Sequence, residues 1–199
     1  MTTPTCIKTP ANLAKEWLAL GSEGLILDTE TTGLDDLAQI VEIAIVDMTG
    51  RPVLNTLVKP TCLIPGEASA IHGISNDDVV DAPTWSQVFD QFKSLVSGRR
   101  VVIYNADYDV RLVHQTSLAN GLDDSDFHAR LGRSAECAML AYAEHFGDWN
   151  EYRQQWRWQK LVNAASQCGI ASVGAHRALA DCLMTLGVIK AMAAEVAHA

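Results

Sequence analysis

Two acidic residues, Asp28 and Glu30, are separated by a single residue at the end of an apolar run. Residues 25–27 are Leu-Ile-Leu and Gly33 follows, a pattern typical of a buried strand that ends in a turn. Alternate residues of a strand point to the same side, so the two carboxylates repel each other unless a cation lies between them. Carboxylate oxygens are good ligands for hard divalent cations. The pair predicts half of a metal site, with two acids lying in solvent as the alternative.

Two later acidic groups could complete such a site. Asp107 and Asp109 follow the apolar run 101–104, where a predicted strand gives way to a helix, and only one of them needs to be a ligand. His176 and Asp181 stand at the start of the last predicted helix. Because each group lies at the end of a core element, a common site requires the fold to bring these ends together.

The spacing of His176 and Asp181 indicates different roles. Five residues along a regular helix turn through roughly 500°, which leaves the two side chains about 140° apart. They therefore cannot both face one ion from the helix. We expect Asp181 to be a ligand and His176 to lie in the loop or first turn above the site, where its imidazole could accept a proton as a general base.

The apolar periodicity predicts an α/β fold that positions these groups. A capped helix comes first, then an antiparallel meander of three strands, then a strand reached by a parallel crossover, with helices between the later elements. Residues 60–81 are expected to be an irregular connection. The predicted strands cover residues 25–29, 40–47, 52–58, 101–104 and, at an edge, 134–137, and the predicted helices cover 9–21, 84–98, about 110–121, 137–146, 158–168 and the stretch after 176.

Several polar residues allow two interpretations. Glu42 lies inside an apolar strand and is either another ligand or an outward-facing residue, which alternation favours. His72, between Ile71 and Gly73, could approach a substrate backbone or cap a turn. A group of acids after the fourth helix is interpreted as a solvated loop; its members are Asp123, Asp124 and Asp126.

Three tryptophans alternate with basic residues near the carboxyl-terminal third of the chain. The tryptophans are Trp149, Trp156 and Trp158, and the basic residues are Arg153, Arg157 and Lys160. The set could form a base-stacking platform with phosphate contacts. Alternatively, at least two of the tryptophans anchor the helix 158–168 in the core, which we consider the better interpretation.

Composition limits the class of protein. A chain of 199 residues with 48% apolar content predicts one globular domain over residues 1–199. We expect neither a signal peptide nor a membrane anchor, and a cytoplasmic location. The net charge of −9 argues against a broad nonspecific nucleic-acid binder, although two bound divalent ions would reduce it to about −5. Five scattered cysteines disfavour a disulfide framework and a zinc site; they are Cys6, Cys62, Cys137, Cys168 and Cys182.

Three motifs together resemble the DEDDh group of exonucleases, relatives of the proofreading subunit of bacterial replicative polymerases. They are D-x-E-x-T-G (Asp28, Glu30, Thr32, Gly33), N-A-x-[FY]-D (Asn105, Ala106, Tyr108, Asp109) and H-x-A-x-x-D-x-x-x-T (His176, Ala178, Asp181, Thr185). The Ile-His-Gly-Ile segment at 71–74 also resembles that group. Each motif is weak alone, but all three in order are specific. The match runs from about residue 24 to 190 and leaves 1–23 as an N-terminal helical extension.

The resemblance implies a ribonuclease H-like α/β fold, with a mixed central sheet flanked by helices, and a 3′-to-5′ exonuclease that releases nucleoside 5′-monophosphates. It aligns Asp109, and not Asp107, with the family's acid. The implied ligands of two Mg²⁺ or Mn²⁺ ions are Asp28, Glu30, Asp109 and Asp181, with His176 as the base that deprotonates the attacking water. The expected contacts to the 3′-terminal nucleotide are Thr31, Thr32, Gly33, Leu34, His72, Asn105 and Tyr108.

Two departures from the family pattern and two other functions need consideration. Tyr104 stands where many relatives have His, and Glu136-Cys137 stands where others have Asp-Thr, which could alter substrate fit. A non-catalytic binding subunit would be expected to lack one of the five site residues, and none is missing. A calcium-binding protein would need a D-x-[DN]-x-[DN]-G loop, which is absent.

The substrate and the partners are less well determined. The His-Arg-Ala-Leu-x-Asp-Cys run favours an exonuclease X-like branch that acts on DNA. The expected partner is a nucleic-acid 3′ end, with single-stranded DNA favoured and RNA as the alternative. A homodimer or a polymerase partner is also compatible with the resemblance.

Overall fold

The structure is a computed structural model and describes residues 9–194. Cys6 and the first part of the expected N-terminal extension lie outside the described residues. The strands are β1 (Leu25–Thr31), β2 (Ile40–Asp47), β3 (Pro52–Leu57), β4 (Val101–Ile103), β5 (Ala135–Cys137), β6 (Trp149–Asn150) and β7 (Gln155–Trp156). The helices are α1 (Pro10–Ala19), α2 (Gly66–His72), α3 (Trp85–Val96), α4 (Ala106–Ala119), α5 (Ser125–Ser134), α6 (Ala138–Phe146), α7 (Leu161–Gln167) and α8 (Ala178–Ala194).

Five strands form a mixed sheet in the order β3-β2-β1-β4-β5. The pairs β1–β2 and β2–β3 are antiparallel, whereas β1–β4 and β4–β5 are parallel. The predicted meander, the parallel crossover and the edge strand are therefore confirmed. Strands β6 and β7 form a separate two-stranded hairpin.

The central strand β1 is covered on both faces, which explains its continuous apolar start. Leu25 and Leu27 pack into the cluster that contains α3 and α4, whereas Ile26 packs into the cluster that contains α1, α6 and α8. Because side chains alternate along a strand, Asp28 and Glu30 continue the face of Ile26. The two acids therefore point towards the side of the sheet on which α8 lies.

Helix α1 covers the core, as predicted, and explains one departure from the family pattern. Thr9 caps it by accepting a hydrogen bond from the Asn12 backbone N–H at 3.3 Å, and Trp17 is fully buried. Trp17 Nε1 donates to Glu136 Oε2 at 2.9 Å, and Arg100 binds the same carboxylate through two nitrogens at 2.7 and 2.8 Å. Glu136 therefore joins α1 to the sheet edge.

We expected the connection 60–81 to be irregular throughout, but it contains the helix α2. Pro65 precedes the first turn and Gly73 ends the helix in the left-handed conformation, with φ of 73°. Ala68 and His72 are buried at a spacing of four residues. The expectation was wrong because a helix of 7 residues, about two turns, gives too short an apolar stripe to recognise.

The interpretation of the acids near α5 as solvated surface was wrong for one of them. Asp124 is 3% exposed, and its Oδ1 lies 2.6 Å from His114 Nδ1 of α4. Asp123 and Asp126 are exposed, as expected. Asp124 is buried because its partner is supplied by another helix, which no local pattern reveals.

The tryptophans of the β6–β7 segment are not core anchors, contrary to our preferred interpretation. Trp149 and Trp156 are each 37% exposed and Trp158 is 53% exposed. Helix α7 begins only at Leu161, so Trp158 precedes it. The fully buried aromatic positions are filled from elsewhere, by Trp17, Trp85 and Phe92.

No helix within residues 9–194 combines the length and apolar character needed to span a bilayer. The cysteines within this range are unpaired; they are Cys62, Cys137, Cys168 and Cys182.

Candidate active site

Acidic side chains from three elements meet at the carboxyl end of β1. One carboxylate oxygen each from Asp28, Glu30 and Asp181 lies within 4.8 Å of the others. Asp28 and Glu30 share one face of β1, and Asp181 lies in the first turn of α8, which packs on β1 and β2. Asp109, in the first turn of α4, lies beside this group and is 4% exposed. Its Oδ1 accepts a hydrogen bond from Thr29 Oγ1 at 2.7 Å.

The choice between the two acids of the second motif agrees with their exposure. Asp109 is buried and its charge acts on Asp28, whereas Asp107 is exposed. Both lie in the first turn of α4, but two residues along a helix turn through about 200° and so face nearly opposite sides.

The four carboxyl groups lie in surroundings that oppose their ionisation. Burial, followed by the charges of Asp109 and Asp181, holds the pKa of Asp28 well above its usual range. Burial and the charge of Asp181 raise the pKa of Glu30 to about 8, and burial raises the pKa of Asp109 to about 7. Burial also raises the pKa of Asp181. Bound positive charge would remove this penalty, and an all-oxygen donor set of this kind fits a hard divalent cation.

Alternation favoured an outward-facing Glu42, but this interpretation was wrong. Glu42 is 4% exposed and is bound to the start of α8. Its Oε1 accepts from Arg177 Nη2 at 2.6 Å, and its Oε2 accepts from Arg177 Nε at 3.0 Å and from the Ala178 backbone N–H at 2.9 Å. The carboxylate therefore satisfies a free amide at the helix N-terminus as well as the guanidinium. Both faces of β2 are covered, so alternation along this strand does not distinguish inside from outside.

His176 lies in the loop just before α8, where the sequence predicted it. Its φ is 66°, which is unusual for a residue other than glycine. Its backbone N–H donates to Asp181 Oδ1 at 3.2 Å, and the next two residues are held by Glu42. These contacts fix the backbone of the loop, while the His176 residue itself is exposed.

A cleft of about 640 Å³ opens beside the acids, between the end of β1, α2 and the start of α4. All seven residues expected to contact the terminal nucleotide line it: Thr31, Thr32, Gly33, Leu34, His72, Asn105 and Tyr108. Leu34 is 80% exposed and Ile71, also in the lining, is 61% exposed. Residues that sequence analysis did not select complete the wall: Pro65, which directly precedes α2, and Glu67, Ala68 and Ile71 of α2. The spacing of Ala68, Ile71 and His72, typical of one helix face, is the signal that could have identified them.

His72 supports the cleft through both ring nitrogens. Its Nδ1 accepts from the Ile74 backbone N–H at 3.0 Å, so the proton of the neutral ring is on Nε2, which lies 3.2 Å from the Thr31 carbonyl oxygen. Burial lowers the pKa of His72, which favours this neutral form. Of the two roles considered, the turn cap is therefore present in the structure. The second hydrogen bond ties α2 to the end of β1.

The segment that leaves β1 is held from α4. The Tyr108 hydroxyl donates to the Gly33 carbonyl oxygen at 2.9 Å and lies 2.9 Å from Thr31 Oγ1. Arg111 stacks over the Tyr108 ring, with its guanidinium carbon 5.3 Å from the ring centre, and donates to the Asp35 carbonyl oxygen at 3.2 Å. The same helix thus positions both an acid and the wall of the cleft.

We expect Asp28→Asn to stabilise the metal-free protein. On folding without metal, Asp28 must either bury an ionised carboxylate or take up a proton, and Asn avoids both costs at the same side-chain size. The free energy of unfolding should therefore rise by about 1 kcal/mol or more, or roughly 2–4 °C in melting temperature. In EDTA the wild type should lose stability as pH rises from about 4.5 to 8, because Glu30 ionises near 4.5 when unfolded but at about 8 when folded. Asp28→Asn should flatten this decline.

Thermal unfolding in EDTA at several pH values measures both effects. Asp107→Asn, which changes an exposed acid on the same helix as Asp109, is the matched control and should leave the profile unchanged. A lower melting temperature for Asp28→Asn than for wild type at pH 8 would contradict the electrostatic interpretation.

We expect Arg177→Ala to destabilise the protein more than Arg51→Ala does. Without Arg177, Glu42 stays buried with one remaining donor, which should cost about 1–3 kcal/mol. Arg51 also pairs with a buried carboxylate, that of Asp47, but Asp47 keeps three donors from Thr49 and the backbone. Urea unfolding of the two variants makes the comparison, and equal losses would show that the Glu42 contact contributes nothing particular.

Comparison with known proteins gives the chain its family. The family model described as Exonuclease matches residues 25–189. An uncharacterised exonuclease of Escherichia phage 186, CP81, is 49% identical over 181 residues, which cover 90% of this chain and 92% of the phage protein. The DNA polymerase III subunit epsilon of Escherichia coli K12 is 33% identical over 96 residues, which cover 43% of this chain and 40% of that subunit.

Solved structures share the fold. Escherichia coli exonuclease I in complex with a dT13 oligonucleotide superposes with a TM-score of 0.66 at 19% identity, covering 82% of this chain and 39% of that one. Exonuclease X in complex with 5′-overhanging duplex DNA superposes with a TM-score of 0.58 at 25% identity, covering 85% and 90% of the two chains. The chain thus spans less than half the length of exonuclease I and of the epsilon subunit. The expected ribonuclease H-like fold is confirmed.

A family match over most of the chain, and a phage relative of nearly the same extent, agree with the three motifs and with the elements on which they lie. The protein belongs to the exonuclease family, as a 3′-to-5′ exonuclease of the DEDDh group.

Proposed function

We propose that this exonuclease removes single nucleotides, as 5′-monophosphates, from the 3′ end of DNA, and that Asp28, Glu30, Asp109 and Asp181 are its metal ligands. The observation that carries the proposal is the meeting of three carboxylates within 4.8 Å beside an open cleft. DNA is favoured over RNA because exonuclease X, which resembles this chain over most of its length, was solved with DNA.

The ligand set favours Mg²⁺ or Mn²⁺, since it consists only of carboxylate oxygens and carries up to four negative charges. Four carboxylates are enough to hold two such ions. When bound, the ions supply positive charge that promotes ionisation of the attacking water and stabilises the charge on the leaving 3′ oxygen.

His176 is the proposed general base. Its loop is anchored at three points, through its own N–H on Asp181 and through Arg177 and Ala178 on Glu42. The anchors hold the backbone, and the exposed imidazole can take a proton from water at the edge of the carboxylate cluster. Asp181 thus has two roles in the proposal, as a ligand and as an acceptor that positions the base.

The cleft is the proposed site of the 3′-terminal nucleotide. Leu34 and Ile71 supply exposed apolar surface on which a base can pack, and Tyr108 fixes the intervening backbone through Gly33. A Cβ atom built on Gly33 meets no protein atom within 4 Å, and Gly33 does not have a positive φ. Gly33 is therefore not required by the fold, which is consistent with close approach of a substrate to this backbone.

We expect Asp28→Ala and Asp181→Ala to abolish cleavage, and His176→Ala to lower kcat by roughly 10²- to 10⁴-fold, since loss of a general base has an effect of this size. The assay uses 5′-labelled and 3′-labelled single-stranded DNA, duplex DNA and RNA, with Mg²⁺, with Mn²⁺ and with EDTA. We expect the 3′-labelled substrate to release labelled mononucleotide at once. The 5′-labelled substrate should give a ladder of progressively shorter products.

Asp107→Ala is the control in this assay, because it removes an exposed acid two residues from Asp109. Near-normal kcat for His176→Ala would exclude it as the base. Faster cleavage of RNA than of DNA would overturn the proposed substrate. The assignment of the metal ligands would then still be tested by the Asp28→Ala and Asp181→Ala variants.

We expect Gly33→Ala to fold normally but to bind substrate poorly. The added methyl group meets no protein atom, so the melting temperature should stay close to that of wild type, within about 0.5 kcal/mol in stability. KM for DNA should rise severalfold if the nucleotide approaches this backbone. Gly132→Ala is the control, because Gly132 lies on α5 outside the cleft lining and an added Cβ there makes only an ordinary contact, with Val110 at 3.7 Å. An unchanged KM for Gly33→Ala would remove this segment from the substrate contact.

A further inference from the structure

Residues 148–160, which comprise strands β6 and β7 with the chain on either side and are called the hairpin below, present a concentration of exposed aromatic side chains that the active site does not use. Trp149 and Trp156 are 37% exposed, Trp158 is 53% exposed and Tyr152 is 95% exposed. Large aromatic rings on a protein surface expose apolar area to water, and a ligand that covers the rings removes this area from water. Such a group within ten residues therefore indicates a binding surface.

The hairpin is a built structure. Trp149 and Trp156 face each other in its register, with ring centres 4.9 Å apart and planes at 72°. Asn150 Oδ1 accepts from the Tyr152 and Arg153 N–H groups at 3.1 and 3.0 Å, which fixes the turn. The Trp149–Trp156 pair is therefore held in place before any ligand arrives, which lowers the entropic cost of binding.

The charge of the hairpin differs from that of the rest of the chain. Residues 148–160 contain three basic and two acidic side chains, in a chain of net charge −9. Arg157 lies 3.6 Å from Asp148, and Arg153 and Lys160 are exposed. An exposed aromatic set with a local excess of positive charge is complementary to a single strand of nucleic acid, which offers stacked bases and phosphates.

The hairpin is also connected to the cleft. Tyr104 Oη, at the end of β4, donates to the Gln159 carbonyl oxygen at 3.0 Å. Tyr104 directly precedes Asn105, which lines the cleft, and Gln159 directly follows Trp158. The Tyr104–Gln159 hydrogen bond therefore ties this segment to the start of the cleft wall.

We propose that the hairpin, with Trp158 and the Trp149–Trp156 pair, binds the single-stranded part of the DNA substrate on the 5′ side of the nucleotides in the cleft. Bases stack on the tryptophans, and Arg153 and Lys160 contact phosphates. The surface does no chemistry; it keeps a long strand bound while its 3′ end is processed. This inference rests on the proposed function for its substrate.

Trp158→Ala and Trp158→Phe test the proposal. Binding of a 5′-labelled oligothymidylate of roughly 20 nucleotides, measured by anisotropy in EDTA, should weaken about 5- to 100-fold in Trp158→Ala and recover in Trp158→Phe, since stacking needs an aromatic face. In Mg²⁺, KM for the same oligonucleotide should rise with little change in kcat, whereas kcat/KM for a dinucleotide should stay within about twofold of wild type. Arg153→Gln should reduce the slope of log Kd against log salt by about one phosphate contact.

Leu118→Ala is the matched control, because Leu118 is an apolar residue of similar exposure, 57%, on α4. Unchanged oligonucleotide binding in Trp158→Ala overturns the proposal and leaves the surface to a protein partner. Equal losses on oligonucleotide and dinucleotide also overturn it, since they indicate a structural role. If wild type cleaves neither substrate, the proposed function fails, and the anisotropy measurement alone then decides whether the hairpin binds DNA.

Discussion

The burial of four neighbouring carboxyl groups at the end of β1 is the constraint on which the rest of the structure depends. Asp28, Glu30 and Asp181 have oxygens within 4.8 Å of one another, and Asp109 lies beside them. Burial first, and the charges of neighbouring acids after it, raise the pKa values of all four groups, so the ionised cluster is unfavourable in the folded chain when no cation is bound. Packing elsewhere must offset it. The site is therefore ready for positive charge because the surrounding fold resists the rearrangement that would separate the acids.

The resistance comes from the elements that carry them. β1 is buried on both faces, and α8 is apolar on nearly every side, with Cys182, Leu186, Ile189 and Met192 all inside the core. Glu42 adds a polar attachment at the one point where α8 must be placed most accurately, its first turn. A buried carboxylate with three donors contributes to specificity of position more than to net stability. The Glu42–Arg177 pair thus links the second strand to the position of both His176 and Asp181.

A net charge of −9 is compatible with the proposed binding of nucleic acid, a polyanion, because of where the charges lie. Part of the negative charge is concentrated in the cluster of acids, where bound metal would neutralise it. The cleft wall offers Leu34, Ile71 and backbone groups instead of a basic surface. The hairpin supplies the local excess of basic and aromatic side chains. This distribution of charge favours nucleic-acid binding at particular places over a general affinity for polyanions.

The sequence by itself determined the fold class, the order of most elements and the family, because acidic residues at strand and helix ends, with short apolar runs before them, are local patterns. Only the tertiary structure decided the surroundings of individual polar residues. Glu42 meets Arg177 from 135 positions away, Asp124 meets His114 from a neighbouring helix, and His72 joins the Thr31 carbonyl oxygen. The exposure of Trp158 likewise depends on which other aromatic side chains fill the core. Burial and partners of this kind are set by long-range packing, and no spacing along the chain contains them.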